Sequence, residues 1–221
     1  MNPEILPALA GLVWALDYGA VVVFALTGAL VASRSQLDLT GFIFMAALTA
    51  VGGGTVRDLV LGRDPVFWVE RPGLIVIAAC AAIVVFWTAP FLESRYRWLV
   101  WLDAVALGVA VPAGVGVAEV MGYGPVILVI AGVITGCMGG LMRDVVGNEV
   151  PLILRGSQLY LTTAFAGALG AVLAIEAGLP RLWALLLCGA LTFLLRAGSL
   201  IWGWSLPAYR PRPPRSGSRR D

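Results

Sequence analysis

Long apolar runs separated by short polar connections set the pattern of this chain. Seven runs, near 10–33, 39–61, 72–92, 98–118, 124–147, 157–176 and 181–204, approach or exceed the roughly 20 residues that a helix needs to cross a hydrocarbon core of about 30 Å. The connections are rich in glycine, proline and charge: Ser33-Arg34-Ser35-Gln36, Leu61-Gly62-Arg63-Asp64-Pro65, Glu93-Ser94-Arg95-Tyr96-Arg97, Gly122-Tyr123-Gly124-Pro125, Gly147-Asn148-Glu149 and Gly178-Leu179-Pro180. These are turn residues. The pattern predicts an all-α, polytopic membrane protein with seven transmembrane helices in a single domain over 1–206. The Pro-, Arg- and Ser-rich stretch 207–221 reads as a disordered tail. Trp68, Trp87, Trp98, Trp101, Trp183, Trp202 and Trp204 fall near run ends, as in an interfacial aromatic belt.

Composition supports that class. Hydrophobic residues make up 60% of the chain and charged residues 13%, against about a quarter charged in a soluble domain. Cys80, Cys137 and Cys188 lie inside apolar runs, and with no histidine and no CxxC spacing they read as apolar filler rather than as a disulfide or metal set. No nucleophile constellation is evident, so neither an enzyme nor a cofactor is expected. A net charge of +2 gives no reason to expect nucleic acid. The first ten residues carry Glu4 and no basic residue, unlike a cleaved signal peptide.

All 15 basic residues are arginine, and their placement suggests an orientation. The tail holds Arg210, Arg212, Arg215, Arg219 and Arg220. A cytoplasmic tail also puts Arg34, Arg95, Arg97 and Arg155 inside and leaves Arg63, Arg71 and Arg181 outside. The expectation is a multi-pass membrane protein with an extracytoplasmic amino terminus and a cytoplasmic tail.

A shift of 86 positions, without a gap, superposes Asp17 on Asp103, Gly28 on Gly114, Thr49 on Thr135, Gly53-Gly54 on Gly139-Gly140, Arg57-Asp58 on Arg143-Asp144 and Pro65 on Pro151. The copies run from about 10 to 92 and from about 96 to 178, leaving a seventh helix near 181–204. Three spans per copy is an odd number, so the second copy must be upside down relative to the first. Such inverted repeats, with interrupted helices, are a frequent architecture of proteins that move solutes.

The doubled motif is where the chemistry concentrates. An arginine at mid-bilayer costs on the order of 3 kcal/mol or more unless it faces protein or water, and this chain spends that cost twice. Asp17 and Asp103 are the expected charge partners of Arg57 and Arg143. At helical spacing Thr49, Gly53 and Arg57 share a face, as do Thr135, Gly139 and Arg143. Ala46, Ala50 and Gly54, and likewise Gly132, Gly136 and Gly140, form a second stripe suited to close helix packing. Adjacent glycines also lower the cost of breaking a helix, which would expose carbonyls able to meet a cation. The plainer alternative for the Arg-Asp pairs is an ion-paired clamp that touches no solute. Ser157, Gln158, Tyr160, Thr162 and Thr163 open the sixth run as caps or as pore lining; Arg196, with Thr192 and Ser199, reads as packing the seventh run or reaching the cytoplasmic face.

The three-span unit from Asp17 through the GGG-x-x-RD of Gly52-Gly53-Gly54-Thr55-Val56-Arg57-Asp58, its copy at Gly139-Gly140-Leu141-Met142-Arg143-Asp144, and one extra helix together resemble the prokaryotic trimeric intracellular cation (TRIC) channels, which overlap a glycine-transporter-like group. The resemblance spans about residues 10–204. It implies a homotrimer with a pore in each subunit, lined by the second and fifth spans, kinked at Gly52, Gly53, Gly54, Gly139 and Gly140, and carrying Arg57, Asp58, Arg143 and Asp144. It also implies passive conduction of monovalent cations, potassium and sodium, favouring potassium, in contact with membrane lipids. Met138 stands where the first copy has Gly52, so the second kink is expected to be weaker. A secondary transporter of a small solute such as glycine, and a non-conducting scaffold, remain as alternatives.

Overall fold

The computed structural model describes residues 5–92, 94–154 and 159–207, with side chains from residue 9 onward. Among them are eight α-helices and no strand: α1 (Ile5–Arg34), α2 (Leu39–Leu61), α3 (Phe67–Glu70), α4 (Gly73–Thr88), α5 (Arg95–Val120), α6 (Pro125–Val146), α7 (Leu161–Glu176) and α8 (Arg181–Trp202). Six are long and apolar enough to cross a membrane, while α7, at 16 residues, is a shorter apolar helix. Arg155, Ser157, Gln158 and the tail beyond Pro207 lie outside the described residues.

Local chemistry places the helix ends. Asp38 caps α2 by accepting from the Gly41 N–H at 2.8 Å, and Gly62, at φ 66°, closes it in the left-handed conformation that glycine adopts without strain. Ser94 caps α5 by accepting from the Arg97 N–H. Pro125 opens α6, where a missing N–H costs nothing, and Gly203 ends α8. Two boundaries differ from the sequence expectation. The third run ends as α-helix at Thr88 and tightens into a 3-10 turn, Ala89–Phe91, around Pro90. The sixth begins at Leu161 rather than 157: Tyr160 precedes the helix and is 2% exposed, so its apolar neighbourhood belongs to a buried turn.

α1 packs on α2, α4 and α5, while α5 packs on α1, α6, α7 and α8. α5 is central, with 72% of its apolar window buried against 28–50% for the other long helices. One apolar cluster joins α1, α2 and α4 through Val21, Met45, Leu74, Ala78 and Ala82. Another joins α5 to α8 through Val111, Leu128, Ala164, Ala168 and Cys188. Ala20, Phe24, Ala106 and Ala110 fill the α1–α5 contact between them. Alanines at 78, 82, 164 and 168 are each 0% exposed and are again 86 apart, so the repeat extends into the packing of α4 and α7. α8 closes against α5 and α7. Tyr123, in the α5–α6 turn, donates its hydroxyl to the Leu61 carbonyl at 2.5 Å and ties that turn to the end of α2.

Candidate functional site

The paired motifs lie on α2 and α6, which cross at their glycines. A methyl group added at Gly53 would stand 2.3 Å from the Thr135 carbonyl oxygen, and one at Gly139 would stand 2.6 Å from that of Thr49. Real Cβ atoms do not approach so closely, so only glycine permits this crossing. Gly52 accommodates the Met142 sulfur, which would be 2.8 Å from an added methyl, and this explains the unmatched glycine of the first copy. Gly54 lies against the Phe67 ring and Gly140 against the Tyr160 hydroxyl. Gly132 and Gly136 pack on the valines of α5, as the small-residue stripe suggested.

These contacts correct one expectation. The glycines do not interrupt their helices: α-helical structure continues from Leu39 to Leu61 and from Pro125 to Val146. Close approach of two backbones, rather than helix breaking, accounts for Gly53 and Gly139. Thr49 and Thr135, buried on the same faces, each donate a hydroxyl to the carbonyl four residues back, Met45 and Ala131, at 2.6 Å.

One turn beyond each glycine sits a buried arginine. Arg57 is 0% exposed; its Nη1 donates to Asp17 Oδ1 at 3.0 Å and its Nε to Asp58 Oδ1 at 2.8 Å. Arg143, also 0% exposed, repeats the arrangement, Nη1 to Asp103 Oδ1 at 2.9 Å and Nε to Asp144 Oδ1 at 2.8 Å. The second carboxylate oxygen of each neighbouring aspartate accepts a backbone N–H at 2.8 Å, from Phe67 for Asp58 and from Leu152 for Asp144. Each aspartate thereby pins the loop after its helix. The two donors fall one residue out of the 86-residue register.

Each guanidinium faces two carboxylates, and hydrogen bonding is incomplete. Asp17 Oδ2, Arg57 Nη2, Asp103 Oδ2 and Arg143 Nη2 are buried without a hydrogen-bond partner. Buried polar atoms normally find one, and the same atoms stand unpaired in both clusters. A cavity of about 10 Å³, the room of one water-sized sphere, is lined by Asp17, Phe24, Gly53, Gly54, Phe67 and Thr135. The α2–α6 seam is thus nearly closed in this structure. Among the described residues, no group of three or more His, Cys, Asp or Glu could hold a metal ion.

Further residues join the clusters. Arg71, which the sequence reading used only for orientation, lies 3.6 Å from Asp17 Oδ2. Arg196 of α8 stacks over the Tyr160 ring at 5.0 Å and donates to the Leu159 carbonyl. Ser199 accepts from the Leu159 N–H and donates to the Trp204 carbonyl. Thr163 is buried and bonded to the Tyr160 carbonyl, while Thr162 is exposed.

Comparison with known proteins agrees with the repeated geometry. The family model described as "Glycine transporter" matches twice, over residues 14–90 and 100–176. A UPF0126 membrane protein of Vibrio cholerae is 36% identical over 202 residues, 90% of this chain and 83% of that protein. The UPF0126 inner membrane protein YadS of Escherichia coli is 36% identical over 200 residues, 90% of this chain and 96% of its own. Among solved structures, the TRIC trimeric intracellular cation channel orthologue from Rhodobacter sphaeroides is 46% identical with a TM-score of 0.84, covering 87% of this chain and 98% of that one. A second TRIC cation channel structure is 30% identical with a TM-score of 0.80, covering 90% and 98%. The chain belongs to this glycine-transporter family and, within it, to the prokaryotic TRIC proteins.

Proposed function

We propose that this protein is a cation channel of a bacterial inner membrane, permeable to potassium and sodium, whose path in each subunit runs between α2 and α6. The observation that carries this reading is the pair of buried Arg-Asp clusters on either side of a glycine crossing, within a fold that matches a trimeric cation channel at 46% identity. Thr49, Gly52, Gly53, Gly54, Arg57, Asp58, Thr135, Gly139, Gly140, Arg143 and Asp144 line or shape that path, with Asp17 and Asp103 as charge partners. Hydroxyl and carboxylate oxygens are suitable ligands for a hard monovalent cation, and the arginines must be offset or displaced for a cation to pass. The nearly sealed seam then corresponds to a closed state.

The architecture we infer is two inverted three-span repeats, one of α1, α2 and α4 with the short α3 between the last two, the other of α5–α7, with α8 outside them, in a homotrimer surrounded by lipid. The 77-residue family matches, offset by 86, support it. In the inferred orientation the amino terminus is extracytoplasmic and the 207–221 tail cytoplasmic. The relatives and structures matched are membrane, transporter or channel proteins, and no catalysis is proposed.

The family description favours one second reading, a secondary transporter of glycine or a similar small solute. Purified protein in a planar bilayer separates the two. A channel gives currents whose reversal potential follows an imposed potassium gradient. A transporter gives saturable, gradient-driven glycine uptake and no unitary currents.

A further inference from the structure

The two charge clusters differ in one respect that their shared motif hides. In both, an arginine faces two aspartates, leaving a net charge of −1 and one carboxylate oxygen, Asp17 Oδ2 or Asp103 Oδ2, with no donor. At the first cluster a second guanidinium approaches that oxygen. Arg71 follows α3 and places Nη2 3.6 Å from Asp17 Oδ2, within Coulombic reach but beyond a hydrogen bond. The position 86 residues on is Ser157, which brings no charge.

The hold on Arg71 is loose. None of its three guanidinium nitrogens has a hydrogen-bond partner. It rests over the Trp14 ring at 5.0 Å and the Tyr18 ring at 5.9 Å, contacts that attract any cation. Its side chain keeps 13% exposure, whereas Arg57 has none. Asp17, by contrast, is 3% exposed and anchored by Arg57. It also lines the small cavity at the glycine crossing, together with Thr135, whose hydroxyl donates to the Ala131 carbonyl.

We propose that the free oxygen of Asp17 is a binding site for a monovalent cation, and that Arg71 is a tethered cation that occupies its field and must be displaced for the ion to bind. The exchange conserves charge: a mobile cation takes over the role of the guanidinium, which withdraws along its aromatic shelf. The aromatic pair on α1 gives the displaced side chain a place to rest. In the second cluster the nearby second cation comes from another element, Arg196 of α8 over the Tyr160 ring, so the competitor at Asp17 is not repeated at the matching position. This inference rests on the channel reading and adds to it a competing residue at one named oxygen.

The test is single-channel recording of purified wild type, Arg71→Gln and Arg71→Lys over a series of KCl concentrations. Removing a unit charge so close to the site is expected to lower the half-saturating potassium concentration about tenfold for Arg71→Gln, while Arg71→Lys stays near wild type. Equal half-saturation in wild type and Arg71→Gln overturns the proposal. Absence of any wild-type current overturns the channel reading instead, and the site is then decided by fluorescence, which also serves if Arg71→Gln does not fold. Trp14 emission in the wild type is expected to change with KCl but not with N-methylglucamine chloride at equal ionic strength, and the change is expected to vanish in Trp14→Phe and in Asp17→Asn. Identical responses to the two salts overturn the proposal.

Discussion

Gly53 and Thr135 lie so close across the α2–α6 crossing that a side-chain carbon on the first would sit 2.3 Å from the carbonyl oxygen of the second. Gly139 and Thr49 reproduce the relationship at 2.6 Å. Neither obstacle can rotate away, because both are backbone. Gly53→Ala and Gly139→Ala are therefore expected to push the helices apart and to destabilise the protein by about 1–3 kcal/mol each, the usual cost of overpacking. Gly11, with nothing within 4 Å of an added methyl, supplies the control. Thermal unfolding in detergent checks the prediction: Gly53→Ala melting together with Gly11→Ala would refute the tight crossing.

The buried clusters make a different prediction. Asp103→Ala leaves Arg143 charged, 0% exposed and short of one partner, and breaking such a pair from one side costs about 3–5 kcal/mol. Replacing both residues, as in Asp103→Leu with Arg143→Met, removes that guanidinium but leaves Asp144 buried without its ionic partner, so much of the loss is expected to be recovered only when Asp144→Asn is added. A double-mutant cycle on unfolding midpoints reads the coupling directly. Additive effects of the two single changes would mean the pair is not energetically joined. The same cycle on Asp17 and Arg57 is expected to show a similar coupling.

The Arg34–Glu149 pair provides a contrast in the same fold. It joins the end of α1 to the loop after α6 at 2.9 Å, but its side chains are 31% and 18% exposed. Solvent screens such pairs, and exposed ones contribute about 0–1 kcal/mol. Glu149→Gln is expected to shift unfolding slightly at low salt and not at all in 1 M salt. A loss as large as that of Asp103→Ala would show that burial is not what distinguishes the motif clusters.

What could be read from the sequence, and what could not, follows from how far each signal reaches along the chain. Arg57 and Arg143 stood out because charge inside an apolar run is costly, and their 86-residue spacing linked them to Asp17 and Asp103. The structure places each aspartate on its arginine. The start of α7 was misplaced because Leu159 and Tyr160 are as apolar as a span, although both precede the helix, the first half-buried and the second buried. The four residues of α3 are too few for a period, so the backbone N–H of Phe67, which holds Asp58, left no trace. Arg71 was visible only as a loop charge, because its approach to Asp17 depends on the path of that loop. The glycines were noticed for their lack of a side chain and assigned two consequences, close packing and a helix break; the structure shows the first, with continuous α-helix in place of the second. Whether a glycine breaks its helix or admits a neighbour depends on the partner helix, which local sequence does not contain.

The two aspartates beside the arginines, Asp58 and Asp144, anchor loops as well as charges, and that dual role can be separated. Asn keeps one carbonyl oxygen but turns the other acceptor into an N–H₂ donor. In Asp58→Asn, either the Arg57 Nε or the Phe67 N–H must then face a donor, since the two aspartate oxygens accept one bond each at 2.8 Å. A hydrogen bond to a charged group is worth about 1.5–3 kcal/mol and an orphaned buried donor about 1–3. Asp58→Asn is therefore expected to lower stability by roughly 2–4 kcal/mol and to speed amide hydrogen exchange across 66–71 without a matching change across 150–154. Asp144→Asn is expected to do the reverse. Equal exchange changes in both loops for either variant would show that the two anchors act as one unit and that the clusters are not independent.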